Sequence, residues 1–132
     1  MNIWILLGIF VILDLALVTF VVISKSKRGF TPAQKAKYLE HWKRIKALGG
    51  KDAVIEADKL LDELLGARGY AGSLGEKLKK AGPAFSNVND VWGVHKLRNR
   101  LVHELGAGLG REEASAALNK YERAYKDIGL QL

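Results

Sequence analysis

The sequence predicts an all-α protein: one N-terminal transmembrane helix followed by a bundle of four to five helices. Three observations predict it. Ile3 to Ile23 contains no Lys, Arg or Glu and a single Asp, whereas all 21 Lys and Arg lie at or beyond Lys25. After residue 30 only nine of 102 residues are Val, Ile or Thr, and no stretch alternates with period two. Helical start and stop signals recur along that remainder. The division is a transmembrane anchor over 1–24, a basic juxtamembrane linker over 25–31 and a helical domain over 32–132.

The anchor comes first. Sixteen of the 21 residues from Ile3 to Ile23 are Ile, Leu, Val or Phe. As a helix they span about 31 Å, the thickness of a ~30 Å hydrocarbon layer. Their insertion contributes about −5 to −10 kcal/mol, against which Asp14 costs about 2.5–3.5 kcal/mol. A cleaved signal peptide is the rival reading. It wants a positive start, a shorter apolar run and a small-x-small site, and Val22-Ile23-Ser24-Lys25 supplies none. Lys25, Lys27 and Arg28 follow the span and nothing basic precedes it. These three are the candidate membrane-surface residues. The positive-inside rule places the N-terminus outside and the domain in the cytoplasm of a single-pass protein. Asp14 is either a helix–helix contact or a protonated acid tolerated in a long apolar run.

The domain's helices follow in order. Thr31-Pro32-Ala33-Gln34 is a capping box with proline at the first helical position, opening a helix to about Leu48. Gly49-Gly50 stops it. A second runs from about Asp52 to Leu65 or Ala67, with Val54, Ile55, Ala57, Leu60, Leu61, Leu64 and Leu65 spaced for packing on two sides. Ser73 caps a short third helix ending before Gly82-Pro83. Asn87 opens a fourth that reaches about Glu104, and a fifth runs from about Arg111 to Ile128.

Charge is unevenly spread. Residues 25–51 hold nine basic residues and one acid, while residues 52–132 hold twelve of each. Attraction to anionic inner-leaflet lipids explains this, at about 1 kcal/mol per basic residue near the surface. The alternative is a nucleic-acid track with Tyr38 and Trp42 as stacking groups. Those two with Ile45 also form the stripe of a helix turned to a core.

The chemistry sits on the fourth helix, in Trp92-Gly93-Val94-His95-Lys96-Leu97-Arg98-Asn99-Arg100-Leu101-Val102-His103-Glu104. At 100° per residue, Leu97, Leu101, Val94, Leu105 and Val91 share one apolar face, and Arg98 falls inside it. His95, Asn99 and His103 form a polar edge at i, i+4 and i+8. An arginine there must find acceptors. One source is a carboxylate of the second helix, where Glu56, Asp58, Asp62 and Glu63 stand. The other is a bound anion, held with Asn99 and His103. Arg98 and His103 diverge by roughly 140° on one straight helix, so a shared pocket needs a second copy.

Arg98-Asn99-x-x-x-His103 resembles the R-polar-x-x-x-H signature of HEPN domains. Ala57-Asp58-Lys59-Leu60-Leu61-Asp62 and Arg111-Glu112-Glu113-Ala114 through Tyr121 resemble the second and last helices of bacterial members. The likeness covers roughly residues 35–128. It implies a helical bundle that dimerises through its motif helices. Many members are metal-independent endoribonucleases. In them the match of His103 would move a proton at the ribose 2′-OH, Arg98 would hold phosphate, and Asn99 would orient substrate or His103. His95 and Arg100, on the same helix, are candidates for binding substrate. Other members are inactive interaction or nucleotide-binding modules. The expected partners are thus the bilayer, a second copy, RNA or a nucleotide, and a protein of unknown identity.

No cofactor is expected. The chain has no cysteine. His95 and His103 lie about 12 Å apart along a helix, too far to chelate one metal. Gly66, Gly69, Gly72 and Gly75 lack the Lys-Ser/Thr of a phosphate loop.

Overall fold

The computed structural model describes the backbone of residues 2–27 and 29–132, and their side chains outside 22–27. It is all-helical, with six α-helices and no strand among the described residues. They are α1 (Ile3–Lys27), α2 (Pro32–Leu48), α3 (Gly50–Ala67), α4 (Leu74–Ala81), α5 (Val88–His103) and α6 (Arg111–Asp127), with a 3-10 turn at Gly82–Ala84.

Within α1, Ile3–Val21 is long and apolar enough to cross a membrane, and none of it is buried. At 1.5 Å per residue these 19 residues rise about 28 Å. Thr19 donates its hydroxyl to the Leu15 carbonyl at 2.7 Å, so its polar group is satisfied within the helix. The helix continues past residue 24 to Lys27, because no breaker precedes Gly29. The segment read as linker is therefore partly helical. Arg28, and the side chains of Lys25 and Lys27, lie outside the described residues.

The domain is built on α3. Thr31 closes the capping box expected for α2: its hydroxyl accepts from Gln34 N at 3.2 Å, and Gln34 Oε1 accepts from Thr31 N at 2.9 Å. Gly49 and Gly50 then turn the chain with φ of +68° and +57°, a left-handed conformation that side chains disfavour. This lets α3 begin at Gly50, two residues before the sequence expectation. It also runs through Gly66 to Ala67. Its buried face includes Ala53, Val54, Ala57, Leu60, Leu61, Leu64 and Leu65. Each buried leucine contributes about 1.5–3 kcal/mol relative to exposure.

Four helices pack on α3: α2, α4, α5 and α6. Helix α2 turns Tyr38, Trp42 and Ile45 inward. Trp42 meets Tyr125 of α6 edge-on at 5.1 Å, and its Nε1 donates to Glu122 at 3.3 Å. Trp42 is 1% exposed, so the stripe is core and these rings are closed to a nucleic-acid base. Phe30 joins the same core, 5.6 Å from Tyr38. Helix α5 packs on α3 and α6. Of its expected apolar face, Val91, Val94 and Leu101 are buried and Leu97 is half-buried. Leu105 is not part of that face: α5 ends at His103, the projection fails beyond it, and Leu105 is fully exposed.

Candidate functional site

The site starts from a carboxylate on the wrong side of its helix. Asp58 lies on the edge of the apolar face of α3 and is 3% exposed, the one buried charged residue among those described. A buried carboxylate must be surrounded by donors. Tyr121 Oη of α6 lies 2.8 Å from Asp58 Oδ1 and 3.1 Å from the Val94 carbonyl oxygen, and donates its single proton to these. His95 Nδ1 of α5 lies 3.1 and 3.2 Å from the two Asp58 oxygens and donates to them. Arg98 Nε stands 3.6 Å from Oδ2. That contact is an ion pair rather than a hydrogen bond, and this buried Nε has no hydrogen-bond partner.

The network continues along α5 in one consistent direction. Arg98 Nη1 donates to Asn99 Oδ1 at 3.0 Å. This fixes the amide, so Asn99 Nδ2 faces His95 Nε2 at 3.5 Å. Nε2 then faces the Asn99 amide while Nδ1 faces Asp58. Arg98, Asn99, His95, Asp58 and Tyr121 thus form one chain of donors and acceptors drawn from three helices. Below it, Tyr125 Oη donates to the Ala57 carbonyl at 2.7 Å. Burial, then the adjacent Asp58 charge, pushes both the Tyr121 and Tyr125 pKa values far above the usual tyrosine value.

A cleft of about 370 Å³ opens over this network, lined by Asp58, Lys59, Asp62, Ser73, His95 and Arg98 among others. Its charges are already matched. Asp58 faces Arg98, Lys59 meets Glu56 at 2.8 Å, and Asp62 meets Lys77 at 2.8 Å. A larger hollow of about 580 Å³ lies between the Gly49-Gly50 turn and the start of α6, and holds none of the motif residues.

The expected site residues are therefore divided. The structure brings Arg98, Asn99 and His95 together. His103 is apart from them, exposed at the last position of α5. Arg100 is exposed beside Gly93, Lys96 and Leu97 on another surface of the helix. Arg98 sits at the margin of the apolar face rather than inside it, its side chain 25% exposed, because Asp58 draws it to the cleft. Tyr121 was missed as a site residue. Its signal was an aromatic hydroxyl on the core face of the last helix, which needs a buried acceptor. Among the described residues, no three His, Asp or Glu side chains gather into a metal-binding group.

No family model matches the chain, and neither the curated proteins nor the solved structures contain a significant match.

Proposed function

We propose that this chain is a non-catalytic, HEPN-like interaction module tethered to a membrane by α1. One observation carries the reading: the Arg98–Asn99 half of the motif is occupied inside the protein by Asp58 and His95, while His103 stands alone in solvent. An arginine already facing a buried carboxylate is a poor phosphate clamp, because releasing it would leave that carboxylate uncompensated. The balanced charges of the cleft support the same reading. The basic residues that follow the span support a cytoplasmic domain and an outside N-terminus.

The binding face is the exposed apolar surface at the C-terminal end of α5, where Val102 is 45% exposed and Leu105, just past the helix end, is fully exposed. A second copy of the chain covers this apolar edge in a two-fold homodimer.

A second reading is favoured by the imidazole of His103. In such a dimer, His103 of one copy can meet the Arg98 margin of the other, which is the arrangement a metal-independent endoribonuclease acting on RNA would require. The two readings separate in one assay. The full chain in nanodiscs is incubated with mixed labelled RNA, with and without EDTA. The interaction module leaves the RNA intact. Cleavage that persists in EDTA and disappears in His103→Ala overturns it in favour of the ribonuclease.

A further inference from the structure

We infer that α2 lies flat on the bilayer that holds α1, with Lys35, Lys43 and Lys46 against anionic lipid headgroups. The inference rests on the reading of α1 as a membrane span. Two independent observations carry it beyond that reading.

The first is the length of the tether. The apolar run ends at Ile23, and Phe30 is already packed in the core of the domain at 5% exposure. Helix α1 continues to Lys27, a rise of about 6 Å, and three further residues add at most about 10 Å. The wall of the domain therefore starts within about 16 Å of the hydrocarbon edge. The headgroup layer occupies about 5–7 Å of that, and the Debye length at physiological salt is about 8 Å. Helix α2 begins at Pro32, so it starts within reach of lipid charge. The domain can tilt about its tether, but it cannot leave the surface.

The second is which side it turns down. Helix α2 carries five basic residues, all exposed, and one acid, Glu40. Residues 52–132 carry equal numbers of each sign. With Tyr38 at zero and 100° per residue, Lys35, Lys46, Leu39 and Lys43 fall at roughly 60°, 80°, 100° and 140°. They form a continuous stripe beside the buried face. The other two basic residues, Arg44 and Lys37, fall on the opposite flank at roughly 240° and 260°, and Arg44 pairs with the outward-facing Glu40 at 3.9 Å. A tethered body whose net positive charge is concentrated in the segment next to the tether turns that segment to an anionic surface. Lipid is favoured over RNA because Tyr38 and Trp42 are buried, which leaves the stripe without a stacking platform. Helix α5, which packs on α3 and α6, is then left open to cytoplasmic partners.

The test uses the absence of native cysteine. A dye on Ala47→Cys reports the far end of α2, about 22 Å along the helix from Pro32. A dye on Lys96→Cys reports α5. The full chain is reconstituted in vesicles of phosphatidylcholine, with or without 30% phosphatidylglycerol, and energy transfer to a headgroup-labelled acceptor is measured. In anionic vesicles the residue-47 dye transfers more strongly than the residue-96 dye. The excess is lost in neutral vesicles, at high salt, and in a Lys35→Glu, Lys43→Glu, Lys46→Glu variant of unchanged helicity. Transfer from residue 47 that is the same in both lipids overturns the inference. So does an RNA oligonucleotide that binds the vesicle-borne protein tightly and loses affinity in the triple variant, which reassigns the stripe. Release of the protein by carbonate wash removes the membrane span itself, and is read separately from the dyes.

Discussion

Asp58 is the residue on which the site depends, because the side chains of His95, Arg98 and Tyr121 converge on its buried carboxylate. Asp58→Ala leaves Arg98, His95 and Tyr121 without their acceptor. The expected cost is about 3–5 kcal/mol, the usual loss when one partner of a buried pair is removed. Thermal denaturation of the full chain in detergent, followed by circular dichroism, measures it. His103→Ala should change stability by no more than about 0.5 kcal/mol, since the side chain is exposed and carries none of the hydrogen bonds of the network. The sequence made part of this legible. Arg98 on an apolar face demanded an acceptor, and Asp58 was one of four carboxylates within reach. Which of the four answered depends on how α3 is rotated against α5. That rotation is set by side-chain packing across the whole core, and no local pattern contains it. Tyr121 stayed hidden for the same reason, since its hydroxyl has meaning only once α6 lies against Asp58.

At the scale of elements, local rules fixed nearly every helix. Thr31, Ser73 and Asn87 each cap as their positions demand. The misreading came where helical geometry was extended past a helix end, as at Leu105. The turn at Gly49-Gly50 is a glycine pair that lets one helix follow another with almost no loop. Gly50→Ala should cost roughly 1–2 kcal/mol, the strain of a left-handed residue with a side chain. The α3–α6 contact carries a pH signature. Tyr121 and Tyr125 hold their protons in the folded state above the pH at which an unfolded tyrosine loses its own, near 10. The folded state then binds more protons than the unfolded one, so stability falls as pH rises. It should be intact below about pH 9 and drop steeply above about pH 10. Melting temperatures across that range check the slope, and Tyr125→Phe should shallow it.

For the whole molecule, the proposed arrangement has two surfaces with different tasks: a basic α2 beside the lipid and an apolar-edged α5 for a partner copy. Sedimentation of the full chain in detergent should show a dimer, and Leu105→Asp with Val102→Asp should shift it to monomer. The long apolar N-terminal helix was legible in the sequence because length and polarity are local properties of the chain. The use made of the motif was not, because it depends on the assembled bundle. Global unfolding reads that use most directly, through two double-mutant cycles on the full chain. Asp58→Asn combined with Arg98→Met should show a coupling of about 1 kcal/mol or more, and Asp58→Asn combined with His103→Ala should be additive within about 0.3 kcal/mol. Coupling of Asp58 to His103 as strong as its coupling to Arg98 would contradict the division of the motif into an internal network and a free imidazole.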